Sequence, residues 1–186
     1  MPSPKLFMLL IGCKPKGRHT EQHDVFFGIA SSIKELIPQL IEFWPEAEGK
    51  LHIDAYREVT NVNGFEIKVV SPAVPLSSSA KLYFINLGGY KQNEFEEFHY
   101  KLIYAAADKA EAIHQSKQSA FYKHTRFKGA ESHIDDKYGV DVDDVYEIED
   151  ILSPQLKNSY ALSITKTEGD LPQDELHLGY FKLNSF

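Results

Sequence analysis

The feature that most constrains this chain is an internal likeness. Residues 81–115 resemble residues 5–39: shifted by 76, nine of 35 positions are identical. They are Lys5/Lys81, Leu6/Leu82, Gly12/Gly88, Glu21/Glu97, His23/His99, Ala30/Ala106, Glu35/Glu111, Ile37/Ile113 and Gln39/Gln115. Further on, the matching shift becomes 81, and His52/His133, Ile53/Ile134, Asp54/Asp135, Val59/Val140, Glu66/Glu147 and Ile67/Ile148 coincide. Self-similarity of this kind predicts two structural units of one design. It also singles out the residue types that both stretches hold in common.

Lys5–Gly12 is a continuous apolar run closed by a glycine, the pattern of a strand covered on both faces. After a polar loop comes HDVFFGIA at 23–30. Its counterpart HYKLIYAA is rich in aromatic and β-branched residues, so both read as strands. Ser32 with Glu35, and Asp108 with Glu111, have the spacing of a helix capping box. Beyond Ser32, Ile33, Leu36, Ile37, Leu40, Ile41 and Trp44 recur at helical spacing and form one apolar stripe. Pro38 lies off that stripe and is expected to loosen the first turns, while Pro45 and Gly49 end the helix. The second helix is expected from about Lys109 to Tyr122. LHIDAYREV at 51–59 and FEIKVV at 65–70 read as two more strands, joined through the hairpin turn signal Asn63-Gly64.

Each stretch therefore reads β-β-α-β-β. The expected fold class is α+β: tandem repeats forming a pseudo-twofold two-layer sandwich, a mixed sheet with helices on one face. SYALSITKT and ELHLGYFKL suggest an additional C-terminal β-hairpin. The expected division is a first repeat at 1–70, a Pro/Ser-rich linker at 71–80, a second repeat at 81–152 and the C-terminal extension at 153–186.

In this topology the end of strand 1, the start of strand 2 and the start of strand 3 meet at one end of the sheet. Residues two apart on a strand share a face. Glu21 with His23, and His52 with Asp54, are thus brought together; Glu97, His99, His133 and Asp135 are their expected counterparts. Imidazoles and carboxylates in that combination suit a divalent metal ion, or a general acid/base pair. Alternatively they are solvated or loop-bonded side chains at strand starts.

Other features are weaker. Gly12-Cys13-Lys14-Pro15-Lys16-Gly17 begins like a phosphate loop, but Arg18 and His19 stand where Lys and Ser/Thr belong, and a strand follows instead of a helix. Lys14, Lys16 and Arg18 still offer a basic loop for an anionic ligand. The segment 131–150 is strongly acidic; Asp141, Asp143 and Asp144 lack the glycine and glutamate of a calcium loop and read as a solvated edge. Cys13 lacks an oriented base and reads as a small residue following a strand.

A net charge of −7 argues against nucleic acid, which needs clustered Lys and Arg. A single cysteine excludes an internal disulfide and fits a cytoplasmic location. No stretch has the length of a membrane span, so no membrane partner is expected. Leu10-Ile11-Gly12-Cys13 has the look of a lipoprotein cleavage site, but KLYFINLGG at 81–89 occupies the same place in the second stretch, where no signal could act.

Two long phrases resemble a known family. NLGGYKQNEFEEFHYKLIYAAADKAEAIHQSKQSAFYKHTRFKGAESHIDDKYGVDVDDVYEIEDIL (86–152) is similar to the bacterial family catalogued as domain of unknown function 1543. EQHDVFFGIASSIKELIPQLIEFWPEAEGKLHIDAYREV (21–59) resembles the first half of that family. The resemblance implies a bacterial protein that carries the domain in tandem. It implies no activity, because the family brings no assigned catalytic or binding residues. The expected function is a non-catalytic module that binds a small ligand or a protein, with a homodimer as one such assembly. The alternative is a metal-dependent, hydrolase-like enzyme built on the Glu/His/His/Asp clusters.

Overall fold

Strand β1 (Lys5–Cys13) is apolar at nearly every position, and the fold uses both of its edges. The computed structural model describes residues 3–90, 93–118, 142–169 and 171–186. Within them the chain is α+β, with ten strands in three antiparallel sheets. It divides into two compact units, Met1–Pro75 together with Leu152–Phe186, and Leu76–Ile151.

In the first unit, β1 lies between β2 (Gln22–Ala30) and β3 (His52–Glu58), antiparallel to both. The helix α1 (Ile33–Phe43) connects β2 to β3. The two strands it joins are parallel to each other, as expected, but β1 separates them. That is why the expected mixed sheet is antiparallel throughout the described pairings. The side chains of Phe7, Leu9, Ile11 and Cys13 alternate onto the helix side, where they bury with Phe26, Ile33, Leu36, Leu40 and Ile53. Leu6, on the opposite face, is buried as well.

Helix α1 runs through Pro38 without a break and gives way at Trp44 to a 3-10 turn, Pro45–Ala47. Its start differs from the expected capping box. Ser32 makes no side-chain cap; instead the Ser31 amide and hydroxyl donate to Glu35 at 2.9 and 2.6 Å. These bonds hold the Glu35 carboxyl below its usual range. In α2 (Lys109–Ser116) Asp108 does cap, accepting from the Glu111 amide at 2.8 Å, while the Ala107 amide donates to Glu111 at 2.7 Å. The expected continuation of α2 to Tyr122 lies outside the described residues beyond 118.

The second unit has the order β6 (Lys81–Tyr90), β7 (Glu97–Ala106), α2 and β8 (Val142–Glu147), with β6 between β7 and β8. Tyr83, Ile85, Leu87, Ala106 and Ala112 form its core. Here the register corrects the sequence alignment. Leu87 pairs with Val142 as Ile11 pairs with Ile53, and Tyr83 pairs with Glu147 as Phe7 pairs with Glu58. Glu147 therefore takes the place of Glu58, not of Glu66. An ion pair closes the far end of each pairing: Lys5 to Glu58 at 2.7 Å and Lys81 to Glu147 at 2.8 Å. A short helix, α3 (Ile148–Ile151), follows β8 where a fourth strand was expected.

The remaining strands pair over long distances in sequence. Asn63 and Gly64 take positive φ values of 38° and 83°, so the expected turn forms, but it joins β5 (Phe65–Val70) to the two-residue β4 (Asn61–Val62). The other edge of β5 takes β9 (Ala161–Lys166), which follows α4 (Pro154–Ser159). The last strand, β10 (His177–Lys182), pairs with β3. The two C-terminal strands thus do not form the expected hairpin; each completes a sheet begun by residues of the first 70.

Asp174 fastens this return. Its side chain is 1% exposed and accepts from the Thr60 amide, the Thr60 hydroxyl and the Asn61 amide at 2.6–3.2 Å, with Arg57 at 3.9 Å. Asn61 Nδ2 also donates to the Pro172 carbonyl at 2.9 Å. Burial pushes the Arg57 guanidinium down, and Asp174 opposes that shift. Asp174→Ala strands these half-buried donors and should cost about 2 kcal/mol of unfolding free energy. Urea denaturation of the two proteins measures it, and a change below about 1 kcal/mol would mean that the strap is incidental.

Candidate functional site

The site grows from Gly12. Its neighbours Ile11 and Cys13 point into the helix-side core, so position 12 faces the other side of the sheet. There it pairs with His23 on β2 and His52 on β3. A Cβ at position 12 would stand 2.5 Å from His52 Nε2 and 2.8 Å from Asp54 Oδ2. Glycine is thus the residue that gives these two side chains room. β3 is bulged here: Ile53 pairs with Ile11 and Ala55 with Leu10, leaving Asp54 as the extra residue.

Four groups from the sequence expectation converge on this spot. His23 Nε2 lies 3.2 Å from Asp54 Oδ2 and 3.8 Å from Glu21 Oε2. His52 Nε2 lies 3.3 Å from Asp54 Oδ1 and 3.3 Å from Glu21 Oε1. Donor atoms of Glu21, His23 and His52 all fall within 4.8 Å of one another. Zinc ligands at about 2.0–2.2 Å in a tetrahedron stand about 3.3–3.6 Å apart, so these spacings suit one shared ion.

The other chemistry open to such groups is direct hydrogen bonding, and for two atoms it does not occur. His52 Nε2 and Asp54 Oδ2 are buried and make no hydrogen bond of good geometry, although His52 Nε2 lies 3.3 Å from two carboxylate oxygens and Asp54 Oδ2 3.2 Å from His23 Nε2. His52 is 3% exposed, held under the ring of Tyr180 at a centroid distance of 4.2 Å and 26° between planes. A buried polar atom left wholly unsatisfied costs about 1–3 kcal/mol; the ion-pair contacts offset part of that here, and a cation among these donors would satisfy both atoms. The opposite side is open, since the side chains of Glu21 and His23 are 45% and 41% exposed.

The second unit assembles a smaller version. Gly88 pairs with His99, and a Cβ there would meet Asp143 Oδ2 at 2.5 Å. His99 Nε2 is 3.1 Å from Asp143 Oδ2 and 3.9 Å from Glu97 Oε2. The expected partners His133 and Asp135 lie outside the described residues. It is Asp143, read from sequence as part of a solvated acidic edge, that stands in the bulge of β8 where Asp54 stands in β3.

Two contributors were missed, Asp143 and Tyr180. The signal for Asp143 was the glycine shared by positions 12 and 88, which marks where an acidic side chain needs space. Nothing local signals Tyr180. Lys14, Lys16 and Arg18 sit on the exposed β1–β2 loop, at the same sheet end as Glu21 and His23; the loop turns through an Arg18 amide to Pro15 carbonyl bond of 3.2 Å, with Gly17 at φ 82°. Cys13 is a buried core residue; burial first, then Glu21 and Glu46, push its thiol up, away from the thiolate a nucleophile needs.

Residues 18–69, which contain Glu21, His23, His52 and Asp54, match the model of the family described as Domain of Unknown Function (DUF1543). The chain is similar to that family over this stretch. No curated protein matches it. Among solved structures, the crystal structure of protein Il1583 from Idiomarina loihiensis has the same fold: 97% of this chain and 98% of that one are covered, with a TM-score of 0.65 and 20% sequence identity.

The role of Gly12 is directly testable. Gly12→Ala should expel His52 and Asp54 from their present positions and cost about 1–3 kcal/mol as an overpacked site. Thermal unfolding and the imidazole NMR signals of His52 report both effects. Unchanged stability together with unchanged His52 signals would show that the space is not needed.

Proposed function

We propose that this chain is a binding protein for a divalent transition-metal ion, held by Glu21, His23, His52 and Asp54. The observation that carries the reading is the convergence of the His23 and His52 Nε2 atoms on the carboxylates of Glu21 and Asp54 at 3.2–3.8 Å around the gap left by Gly12, with His52 Nε2 and Asp54 Oδ2 buried and without a well-formed hydrogen bond. Two imidazoles and two carboxylates favour zinc, iron, manganese or a similar ion over the harder calcium and magnesium. This reading joins the non-catalytic ligand-binding module expected from the sequence to the metal-liganding clusters that were expected to serve the metal-dependent alternative. The common strand order and register of the two units support reading the chain as a tandem duplication.

One observation favours a second reading, a metal-dependent hydrolase. The open side at Glu21 and His23 would leave a bound ion accessible to water and substrate, and a metal lowers the pKa of its water enough to make it a nucleophile. Lys14, Lys16 and Arg18 border that end of the sheet and would favour an anionic substrate.

Elemental analysis of purified, untagged protein should find a transition metal at near one equivalent or more per chain. Added zinc should raise the melting temperature of metal-stripped protein; saturation at 100 times Kd corresponds to about 2.7 kcal/mol. In His23→Ala, where the lost side chain is half-exposed, most of that rise should vanish while the apo-protein remains folded. The affinity should also fall with acidification, because the ligands must shed protons to bind. No metal-induced shift with any divalent transition ion, or an undiminished shift in His23→Ala, would overturn the proposal.

A further inference from the structure

We infer that the second unit carries its own cation site, at Glu97, His99 and Asp143, richer in oxygen and weaker than the site of the first unit. The inference shares the chemistry of the proposed function but none of its residues, so the two can fail separately.

Three observations carry it. First, the donors Glu97, His99 and Asp143 lie within 4.8 Å of one another, with one imidazole among them. Second, the backbone is shaped for them. Gly88 clears the space that Asp143 occupies, and the bulge after Asn86 puts Asp143 out of the ladder. These devices match those at Gly12 and Asp54, even though the preceding segment has diverged so far that alignment places different residues there. A solvated acidic edge would have no need of a missing side chain opposite it. Third, Asn86 lies two residues before Gly88 on the same strand face, and its Oδ1 is buried without a hydrogen-bond partner. Its Nδ2 donates to Asp144 Oδ2 at 3.2 Å. Asn86 thus adds a polar group without a donor to the sheet face that carries Gly88.

The difference between the two sites follows from what surrounds them. The first unit adds a second imidazole, His52, buried and stacked beneath Tyr180 from β10. Among the described residues, β8 is the outer strand on that side of the second unit's sheet, and His99 stays 34% exposed in its side chain. One imidazole with two carboxylates, reachable by water, binds a given ion less tightly than two imidazoles with two carboxylates and an ordering ring. Loss of such outer support alone costs roughly 10–100-fold in affinity.

Calorimetric titration of the metal-stripped full chain with zinc tests the inference. Two binding phases are expected, the second weaker by about tenfold or more. His99→Ala and, as a milder change, Glu97→Gln should each remove or weaken the weak phase and leave the tight one intact. His23→Ala combined with His52→Ala should keep only the weak phase. A single equivalent that neither His99→Ala nor Glu97→Gln alters would overturn the inference and leave the first site standing. Two phases unaffected by both second-unit variants would overturn it as well, by placing the second ion elsewhere. A weak phase that depends on His99, with no tight phase in any protein, would support the second site and refute the first.

Discussion

Everything at the candidate site depends on a side chain that is absent. A methyl group at position 12 would occupy the space filled by His52 Nε2 and Asp54 Oδ2. Because β1 lies between β2 and β3, that gap is flanked on both sides: β2 and the residue before it supply His23 and Glu21, and β3 supplies His52 and Asp54. The bulge in β3 then adds one residue to the row without ending the ladder. Three ordinary backbone devices thus bring four donors to one point on a rigid sheet.

Rigidity is what makes the position of these atoms informative. On a mobile loop, an imidazole without a well-formed hydrogen bond simply turns to water. His52 cannot, being packed beneath Tyr180 and buried to 3% exposure. Tyr180 in turn is held by the C-terminal return, which Asp174 ties to Thr60 and Asn61. The stability of the strap and the geometry of the site are therefore linked: the residues that close the sheet also cover the histidine.

Local structure was legible in the sequence, and long-range pairing was not. The apolar run at 5–12, the helical stripe from Ile33 and the Asn63-Gly64 turn each carry their signal within a few residues, and each element forms. β9 and β10 also appear where strands were expected, but their proximity in sequence suggested a hairpin. Their backbone ladders are completed instead by β5 and β3, distant in sequence, and nothing in a strand's own composition names its partner. The site was legible to the same extent. Glu21, His23, His52 and Asp54 were placed together by topology alone, since strand ends at one edge of a sheet must meet. Asp143 was not, because sequence identity at His133 and Asp135 pulled the alignment away from the residues that β8 supplies. Backbone register, rather than identity, sets which residue faces Gly88.

The central claim is that the four donors of the first unit enclose one ion, and anomalous diffraction tests it most directly. Crystals grown with zinc and measured on both sides of the zinc absorption edge should show a peak about 2.0–2.2 Å from His23 Nε2 and His52 Nε2, with carboxylate oxygens of Glu21 and Asp54 completing the shell. Crystals with zinc in the solvent but no anomalous density between these side chains, and with His52 Nε2 instead bonded to an ordered water or a neighbouring carboxylate, would contradict the account.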